Sequence, residues 1–119
     1  MAKKMKEKVK KEETLDKLEL RIGCIISIES EPEALKESYK IKVDFGKFGI
    51  KTTVARLTQH APQELINKII VGVLNIETKI VGHTTSEFLL LGVQYPKAES
   101  GEASFLTVPV AAKIGGKVF

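Results

Sequence analysis

Hydrophobic and polar residues alternate along several short segments of the chain, which is typical of strands with one buried face. In the first segment, which ends before Glu31-Pro32, the predicted buried residues occupy the even positions: Leu18, Leu20, Ile22, Cys24, Ile26 and Ile28. The same parity predicts that Arg21 points outward. Cys24 is then a small core residue rather than a nucleophile, because its neighbours are isoleucines and no base lies beside it in the sequence.

A second and a third segment, Tyr39–Phe45 and Phe48–Ala55, are separated only by Gly46-Lys47, which predicts a β-hairpin. Their predicted buried residues are Tyr39, Ile41, Val43 and Phe45, followed by Phe48, Ile50 and Val54. If the first strand is their neighbour, a local basic patch forms on the outer face from Arg21, Lys40, Lys42 and Lys51. The alternative is that these side chains only cover an antiparallel sheet against solvent.

The second half of the chain contains one short helix and further strands. Pro62–Asn67 is predicted to be helical, since Pro suits a first helical turn and Asn67 can close a last one. A buried strand follows at Ile69–Leu74. The stretch from Lys79 to Glu87 is polar and rich in hydroxyl groups, and its possible roles are a catalytic elbow, a ligand-binding loop or a simple turn. The remaining predicted strands are Phe88–Val93 and a last one near Ser104–Val108.

Five or six short strands with a helix between the third and the fourth predict an all-β fold, an OB-type Greek-key barrel. This architecture presents strands two and three to oligonucleotides and other ligands. Another small β-barrel remains the alternative on the pattern alone. We expect one folded domain over residues 14–119, preceded by a flexible or helical Lys/Glu-rich extension over residues 1–13.

The formal charge of +4 is concentrated at the start of the chain. Residues 1–13 contain six Lys and three Glu, whereas the rest contains 13 basic and 12 acidic residues. A nearly neutral body does not provide the broad phosphate neutralisation of a tight, sequence-blind nucleic-acid binder. We therefore expect any basic patch to be local, and the extension to be a solvated segment rather than a membrane-surface or partner helix.

The sequence contains few residues and motifs that are suited to catalysis or metal binding. One Cys and two His do not provide a zinc site, and neither a Gly-x-Ser-x-Gly elbow nor a Gly-x-x-x-x-Gly-Lys-Ser/Thr phosphate loop occurs. No apolar run approaches the roughly 20 residues that a bilayer requires. The expectation is a cytoplasmic, non-enzymatic protein with no cofactor, no metal and no membrane insertion.

Asn75, Lys79 and Ser86 carry groups that bind phosphates, 2′-hydroxyls or base edges. The alternative for Asn75 and Ser86 is hydrogen bonding within turns. The aromatic residues Tyr39, Phe45 and Phe48 fall at predicted buried positions, so base stacking along a single strand is disfavoured. Recognition of folded RNA by shape and backbone is the mode that these residues favour.

Several motifs occur in a characteristic order and spacing: Leu18–Ile25 (LELRIGCI), Tyr39–Gly46 (YKIKVDFG), Pro62–Ile66 (PQELI), Asn75, Ser86-Glu87, Pro109-Val110 and Gly116–Val118. Together they resemble the tRNA-binding OB-fold domain family, from about Thr14 to Phe119. Through Pro32–Ala34, Asp44–Ile50 and Ser86–Gly92 the chain looks most like the CsaA members of this family, which are export-related chaperones.

This resemblance implies a tRNA-binding protein that is not an enzyme and that forms homodimers. It also implies that the binding surface includes Arg21, Asn75, Lys79, Ser86 and Glu87. With the patch lysines, the predicted RNA-binding set is Arg21, Lys40, Lys42, Lys51, Asn75, Lys79, Ser86 and Glu87. The alternative function implied by CsaA is a chaperone that binds unfolded or export-destined polypeptides in an apolar groove of the dimer.

Overall fold

The fold is built almost entirely from antiparallel strands, as seen in a computed structural model that describes residues 2–96, 102–109 and 111–119. A short helix, α1 (Pro62–Leu65), lies between the third and the fourth strand, and 3₁₀ helices span Lys11–Glu13, Leu15–Lys17 and Gly46–Phe48. The strands are β1 (Leu20–Ser30), β2 (Tyr39–Asp44), β3 (Ile50–Ala55), β4 (Ile69–Val73), β5 (Lys79–Val81), β6 (Thr84–Ser86), β7 (Leu89–Leu90), β8 (Gly92–Gln94) and β9 (Ala103–Phe105).

The main sheet has the strand order β3-β2-β1-β4-β7, and β5–β6 and β8–β9 form two separate hairpins. The sheet curls until its two edges approach each other. At this junction the Glu87 N–H donates to the Thr52 carbonyl oxygen at 2.7 Å. The result is a nearly closed, OB-type barrel with α1 between β3 and β4, as the strand pattern predicts.

Two phenylalanines occupy the centre of the barrel. Phe45 and Phe88 pack edge to face with their ring centroids 4.9 Å apart, a favoured aromatic geometry. Two glycines make room for them, since a Cβ atom at Gly23 or Gly72 would lie 2.7 or 2.8 Å from the Phe45 ring. Around the rings lie the other fully buried side chains: Ile25, Ile41, Val43, Leu57, Leu65 and Ile70.

Strand β1 buries both of its faces, which corrects the simple alternation predicted for it. Ile25 is completely buried, whereas Ile26 is 42% exposed and Leu18 is 40% exposed. The pairing with β2 skips Ile26, which marks a β-bulge at that residue, and a bulge reverses the parity of the residues after it. Of the predicted buried set, Leu20, Ile22 and Cys24 face a second cluster outside the barrel.

This second cluster is covered by the end of the chain. Residues 115–118 lie along the first half of β1, and Val118 N–H donates to the Leu20 carbonyl oxygen at 3.0 Å. Leu91 and Ile114 also pack against this face. The apolar residues that precede β8 therefore contribute to both hydrophobic clusters. Phe88 and Leu90 pack inside the barrel, and Leu91 packs against the second cluster outside it.

The predicted core positions of the third strand are wrong. Ile50 is 60% exposed, Val54 is half-buried, and the buried residue of β3 is Thr53. Gly46–Phe48 forms a 3₁₀ turn and Gly49 has a positive φ of 87°, so the strand resumes with a different parity. Phe48 lies in that turn and is half-buried, packing against the edge of the barrel core.

The other predicted elements are close to those observed. Helix α1 is shorter than predicted, and Glu64 caps it by accepting a 2.8 Å hydrogen bond from the Ala61 N–H. Asn67, expected to close the helix, has a left-handed φ of 68°. The polar stretch after Asn75 is not an irregular loop but the β5–β6 hairpin. Val110, part of the resemblance, lies outside the described residues.

Candidate nucleic-acid interface

Lys40 and Lys42 lie on the outer face of β2. Their neighbours on β1 are Glu29 and Ser27, respectively. Within the described part of the chain, neither lysine side chain takes part in a hydrogen bond or an ion pair. Lys42 is exposed and Lys40 is half-buried, so both ammonium groups are available to a ligand on this face.

Lys51 does not share that face. Its cross-strand partner is Val43, whose side chain is fully buried, and directly opposed residues of an antiparallel pair project to the same side. Lys51 therefore projects from the side opposite to Lys40 and Lys42. The turn before β3 shifts its parity, so the predicted outer-face patch is wrong for Lys51. It is also wrong for Arg21, which opposes Gly72 on the barrel side of β1, so only Lys40 and Lys42 remain on the outer face.

Ser86 and Glu87 join the β5–β6 hairpin to β3. Ser86 Oγ lies 2.9 Å from Thr53 Oγ1, and a Glu87 carboxylate oxygen accepts a 2.9 Å hydrogen bond from the Thr52 N–H. Lys79 is the cross-strand partner of Ser86 and is exposed. Lys51, two residues before Thr53, projects from the same face of β3, so Lys51 and Lys79 each neighbour one residue of this junction.

Arg21 and Asn75 are brought together through Glu19. Arg21 forms a 2.7 Å ion pair with the Glu19 carboxylate, and its guanidinium lies 4.4 Å from the centre of the Phe48 ring. Its side chain is only 17% exposed. Asn75 Oδ1 accepts from the Glu19 N–H at 2.7 Å, and Asn75 Nδ2 donates to the Lys17 carbonyl oxygen at 3.0 Å. Both side chains are thus already engaged within the chain.

A groove of about 850 Å³ lies between the segments 33–38 and 76–82, with residues of β3 and β7 along it. It was not foreseen from the sequence. Leu35 is fully exposed, Ile80 is 74% exposed and Leu89 is 50% exposed. Among the residues that the structure describes, the charged ones that line it are balanced in sign: Lys36, Arg56 and Lys79 against Glu33, Glu77 and Glu102.

The groove escaped prediction because its residues carry no joint signal in the sequence. Leu35 is a single apolar residue in a polar segment, and Ile80 lies in a stretch whose composition is mainly polar. Strand periodicity identifies which residues share a face of one strand. It does not show that two loops separated by about 40 residues converge in space.

Glu31 links the two segments that flank the groove. Its carboxylate is buried and accepts hydrogen bonds from the Thr84 hydroxyl and from the backbone N–H groups of His83 (3.2 Å) and Glu33 (3.3 Å). The hydrogen bond from Thr84 is the main reason that the pKa of Glu31 lies below its usual value; burial acts in the opposite direction. The side chains of His83 and Glu33 also approach each other, to 4.0 Å.

Gly82, in the turn of the β5–β6 hairpin, allows this close approach. It has a φ of 61°, and a Cβ atom there would lie 2.9 Å from the Glu33 carbonyl carbon. A side chain would be strained by the backbone and would collide with the opposite segment. The two sides of the groove are therefore held together at one end by Glu31, Thr84 and Gly82.

Comparison with known proteins identifies the barrel. The family model described as "Putative tRNA binding domain" matches residues 20–117, from the start of β1 almost to the end of the chain. The chain belongs to this tRNA-binding domain family. In the OB architecture, the loop between barrel strands one and two and the loop between barrel strands four and five flank the ligand face. The fifth barrel strand of this tRNA-binding domain is β7. The two loops are therefore residues 31–38 and 74–88, and they contain the two segments that border the groove.

Two kinds of relative share this domain. The chain is 39% identical over 108 residues to the methionine–tRNA ligase of Pyrococcus horikoshii, a match that covers 89% of the chain but 14% of the ligase. The chain thus spans a small part of the length of such relatives. Crystal structures of CsaA chaperone proteins, in contrast, align over nearly the whole chain.

CsaA from Picrophilus torridus has a TM-score of 0.80 at 31% identity and covers 93% of this chain and 100% of its own. CsaA from Bacillus anthracis has a TM-score of 0.82 at 31% identity and covers 94% and 100%, respectively. The fold and the extent of this tRNA-binding domain therefore agree with those of the two CsaA chains. Among the helices in the described ranges, none is long and apolar enough to cross a bilayer.

Proposed function

We propose that the chain is a non-catalytic tRNA-binding protein of the CsaA type, which recognises folded RNA through its backbone and shape and acts in the cytoplasm. The observation that carries the proposal is the match of the tRNA-binding domain over residues 20–117, which include the complete barrel. Lys40 and Lys42, which have no partner within the described chain, are the first candidates for phosphate contacts.

The exposed surface supports recognition of shape rather than of stacked bases. Among the aromatic residues, all of which lie in the described ranges, only Phe119 is largely exposed. Serial stacking of single-stranded bases needs a platform of exposed rings. Folded RNA instead offers phosphates and 2′-hydroxyl groups at fixed spacings, which lysines on a rigid sheet are suited to contact.

Lys79 and Lys51 form a second group beside the Thr53–Ser86 junction, and we include them in the proposed surface. Four further predicted residues contribute to this surface by holding neighbouring segments in place: Arg21, Asn75, Ser86 and Glu87. Arg21 and Asn75 hold residues 17–19, whereas Ser86 and Glu87 hold the β5–β6 hairpin against β3. In this proposal these four side chains shape the surface and the lysines supply its charge.

The groove favours a second candidate function, the binding of extended polypeptide segments. Exposed Leu35, Ile80 and Leu89 provide apolar contacts, and the balanced charge along the groove gives phosphate no net attraction. An extended chain with alternate apolar side chains suits such a groove. A homodimer, which we also propose, would extend the groove and double the number of lysine groups on one particle.

Fluorescence anisotropy distinguishes the two functions. Labelled folded tRNA and a labelled, permanently unfolded polypeptide are each titrated at low and at physiological salt, and analytical ultracentrifugation gives the oligomeric state. The proposal predicts tRNA binding that weakens with salt but persists at physiological ionic strength. Absence of tRNA binding, together with salt-insensitive polypeptide binding, would reject it in favour of the second function.

A further inference from the structure

The segment from Lys3 to Lys11 is the most strongly charged part of the chain. It contains six of the 19 basic residues, and Glu7 is its one acidic residue. In the rest of the chain the 14 remaining acidic residues slightly outnumber the basic ones. The positive net charge of the protein therefore resides in this segment, which we call the basic arm.

The basic arm is fully accessible. Each of its residues is exposed, and Lys3–Lys10 has no regular secondary structure. Its lysine side chains form no ion pair or hydrogen bond with the described part of the chain. A segment of this length, when extended, reaches about 30 Å, which is enough to follow a series of phosphate groups.

The root of the arm is anchored to the barrel through residues 17–19. The arm leads into the two 3₁₀ helices Lys11–Glu13 and Leu15–Lys17, and Asn75 then binds the backbone of Lys17 and Glu19 through both ends of its amide. Asn75 is followed directly by Ile76 and Glu77, which line the groove. The anchor of the arm is thus continuous with one side of the groove, whereas Lys11, at the end of the arm, lies beside Lys117 and Phe119.

We propose that the basic arm is a second RNA-binding element, which contacts the phosphate backbone of the same RNA that the barrel binds. This inference rests on the proposed function. The barrel is nearly neutral and supplies shape, whereas the arm supplies most of the charge that attracts a polyanion. Each lysine that neutralises a phosphate releases condensed counterions, so the arm sets much of the salt dependence of binding.

An anionic membrane is a less suitable partner for the arm. A surface-bound amphipathic helix needs a broad apolar face, with aromatic or aliphatic residues that enter the headgroup region. The arm has only Met5 and Val9 as large apolar residues, and neither lies in a helix. Its charge is therefore accompanied by too little apolar surface for stable insertion.

The test replaces all six arm lysines, at positions 3, 4, 6, 8, 10 and 11, by Gln. These residues are exposed, so the barrel is expected to fold as before, which thermal unfolding checks. Binding to folded tRNA is measured by anisotropy over a range of salt concentrations. At about 0.1 M salt we expect a decrease in affinity of about tenfold or more, and a slope of log K against log salt that is less steep by about 3 to 5.

A matched pair of variants separates local contact from net charge. Lys4→Glu/Lys8→Glu and Lys68→Glu/Lys113→Glu change the total charge equally. Lys68 precedes β4, at the end opposite to Asn75. The proposal predicts a clearly larger decrease in tRNA affinity for the arm pair. Equal decreases, or an unchanged salt slope in the six-Gln variant, would overturn it.

Failure of the proposed function gives a different result. If the unmodified protein does not bind tRNA at any salt concentration, the tRNA function fails and the arm proposal fails with it. If the unmodified protein binds tRNA and the arm variants bind it equally well, only the arm proposal fails. Vesicles of phosphatidylserine and phosphatidylcholine serve as a further probe, and an arm effect seen on vesicles but not on tRNA would also overturn it.

Discussion

Thr53 and Ser86 face each other across the junction of β3 and β6 with their hydroxyl oxygens 2.9 Å apart. The Thr53 hydroxyl also donates to the Phe88 carbonyl oxygen at 2.9 Å, and its side chain is buried. This hydroxyl therefore hydrogen-bonds to both the Ser86 hydroxyl and the Phe88 carbonyl oxygen where the edges of the sheet meet. A polar residue at this core position stabilises closure of the barrel.

Replacement of Thr53 by Val should destabilise the protein by about 1–2 kcal/mol, because the shape is kept while the buried partners lose their hydrogen bond. Thr52→Val is the matched control, since the Thr52 side chain lies on the opposite face of the same strand. Urea unfolding measures both variants. Equal stabilities of the two variants would contradict this role of the Thr53 hydroxyl.

The β-bulge at Ile26 makes a clear prediction about two adjacent residues. Ile25→Ala should lower the free energy of unfolding by about 2–5 kcal/mol, since Ile25 is completely buried among the barrel residues. Ile26→Ala should have a much smaller effect, as this side chain is 42% exposed. If the order of the two effects in urea unfolding is reversed, the parity inferred from simple alternation is correct and the bulge is misplaced.

Glu31 should make stability depend on acid pH. The folded state lowers its pKa, so the carboxylate stabilises the protein above the pKa of the unfolded chain, and this contribution is lost as pH falls through the folded pKa. Glu31→Gln should therefore be less stable than the original protein at neutral pH, and less sensitive to pH below about 5. Thermal unfolding from neutral to acid pH measures this difference.

The control for Glu31 is Glu37→Gln, which changes an exposed carboxylate in the same connecting segment. Its pH profile should match that of the unmodified protein. The nearby titratable groups His83 and Glu33 are present in both variants, so their contribution cancels in the comparison. If stability depends less on pH in both the Glu31→Gln and the Glu37→Gln variants, the effect is not specific to Glu31.

Lys40→Gln/Lys42→Gln should weaken tRNA binding and reduce the salt slope by about 1 for each phosphate that is no longer neutralised. Lys68→Gln/Lys113→Gln removes the same charge elsewhere and should have less effect. Single Lys51→Gln and Lys79→Gln variants then show whether the second lysine group belongs to the surface. Unchanged tRNA affinity in the Lys40/Lys42 variant would exclude the outer face of β2 as an RNA-binding surface.

Ile80→Ser/Leu89→Ser should weaken binding of an unfolded polypeptide by about tenfold, because two exposed apolar side chains of the groove are removed. The affinity for tRNA should change little. Val93→Ser, at an exposed apolar residue that does not line the groove, is the control. Polypeptide binding that is insensitive to the double change would reject the groove as its site.

The architecture could be predicted from particular elements of the sequence. The alternation of β2, from Tyr39 to Phe45, is strict, and the observed buried residues of that strand agree with it. The uninterrupted apolar run of β4 is buried throughout. Together with the proline-initiated helix, these elements were enough to indicate an OB-type barrel, and the motifs along the chain indicated the family.

The details that failed have physical causes that alternation does not encode. In β1, Gly23 and Ile25 lie between the predicted buried positions Ile22, Cys24 and Ile26, so apolar or glycine residues occur on both faces and the pattern does not reveal which face lines the barrel. Thr53 counts as polar in any hydropathy pattern, although its hydroxyl is satisfied inside the structure. The face of Lys51 depends on a turn with Gly49 in a positive-φ conformation, and the groove depends on contacts distant in sequence.

The glycines that border the Phe45 ring limit which substitutions the family can accept independently. Gly23 and Gly72 lie on neighbouring strands and approach the same ring, that of Phe45. A side chain at either glycine would therefore compete with this ring for the same space. A methyl group added at Gly72 would press on the rings of both Phe45 and Phe88, and one added at Gly23 would collide with Val43 Cγ1 as well as with Phe45. Relatives that carry alanine at either glycine should therefore carry smaller residues at more than one of these neighbouring positions, and the positions should change together rather than singly.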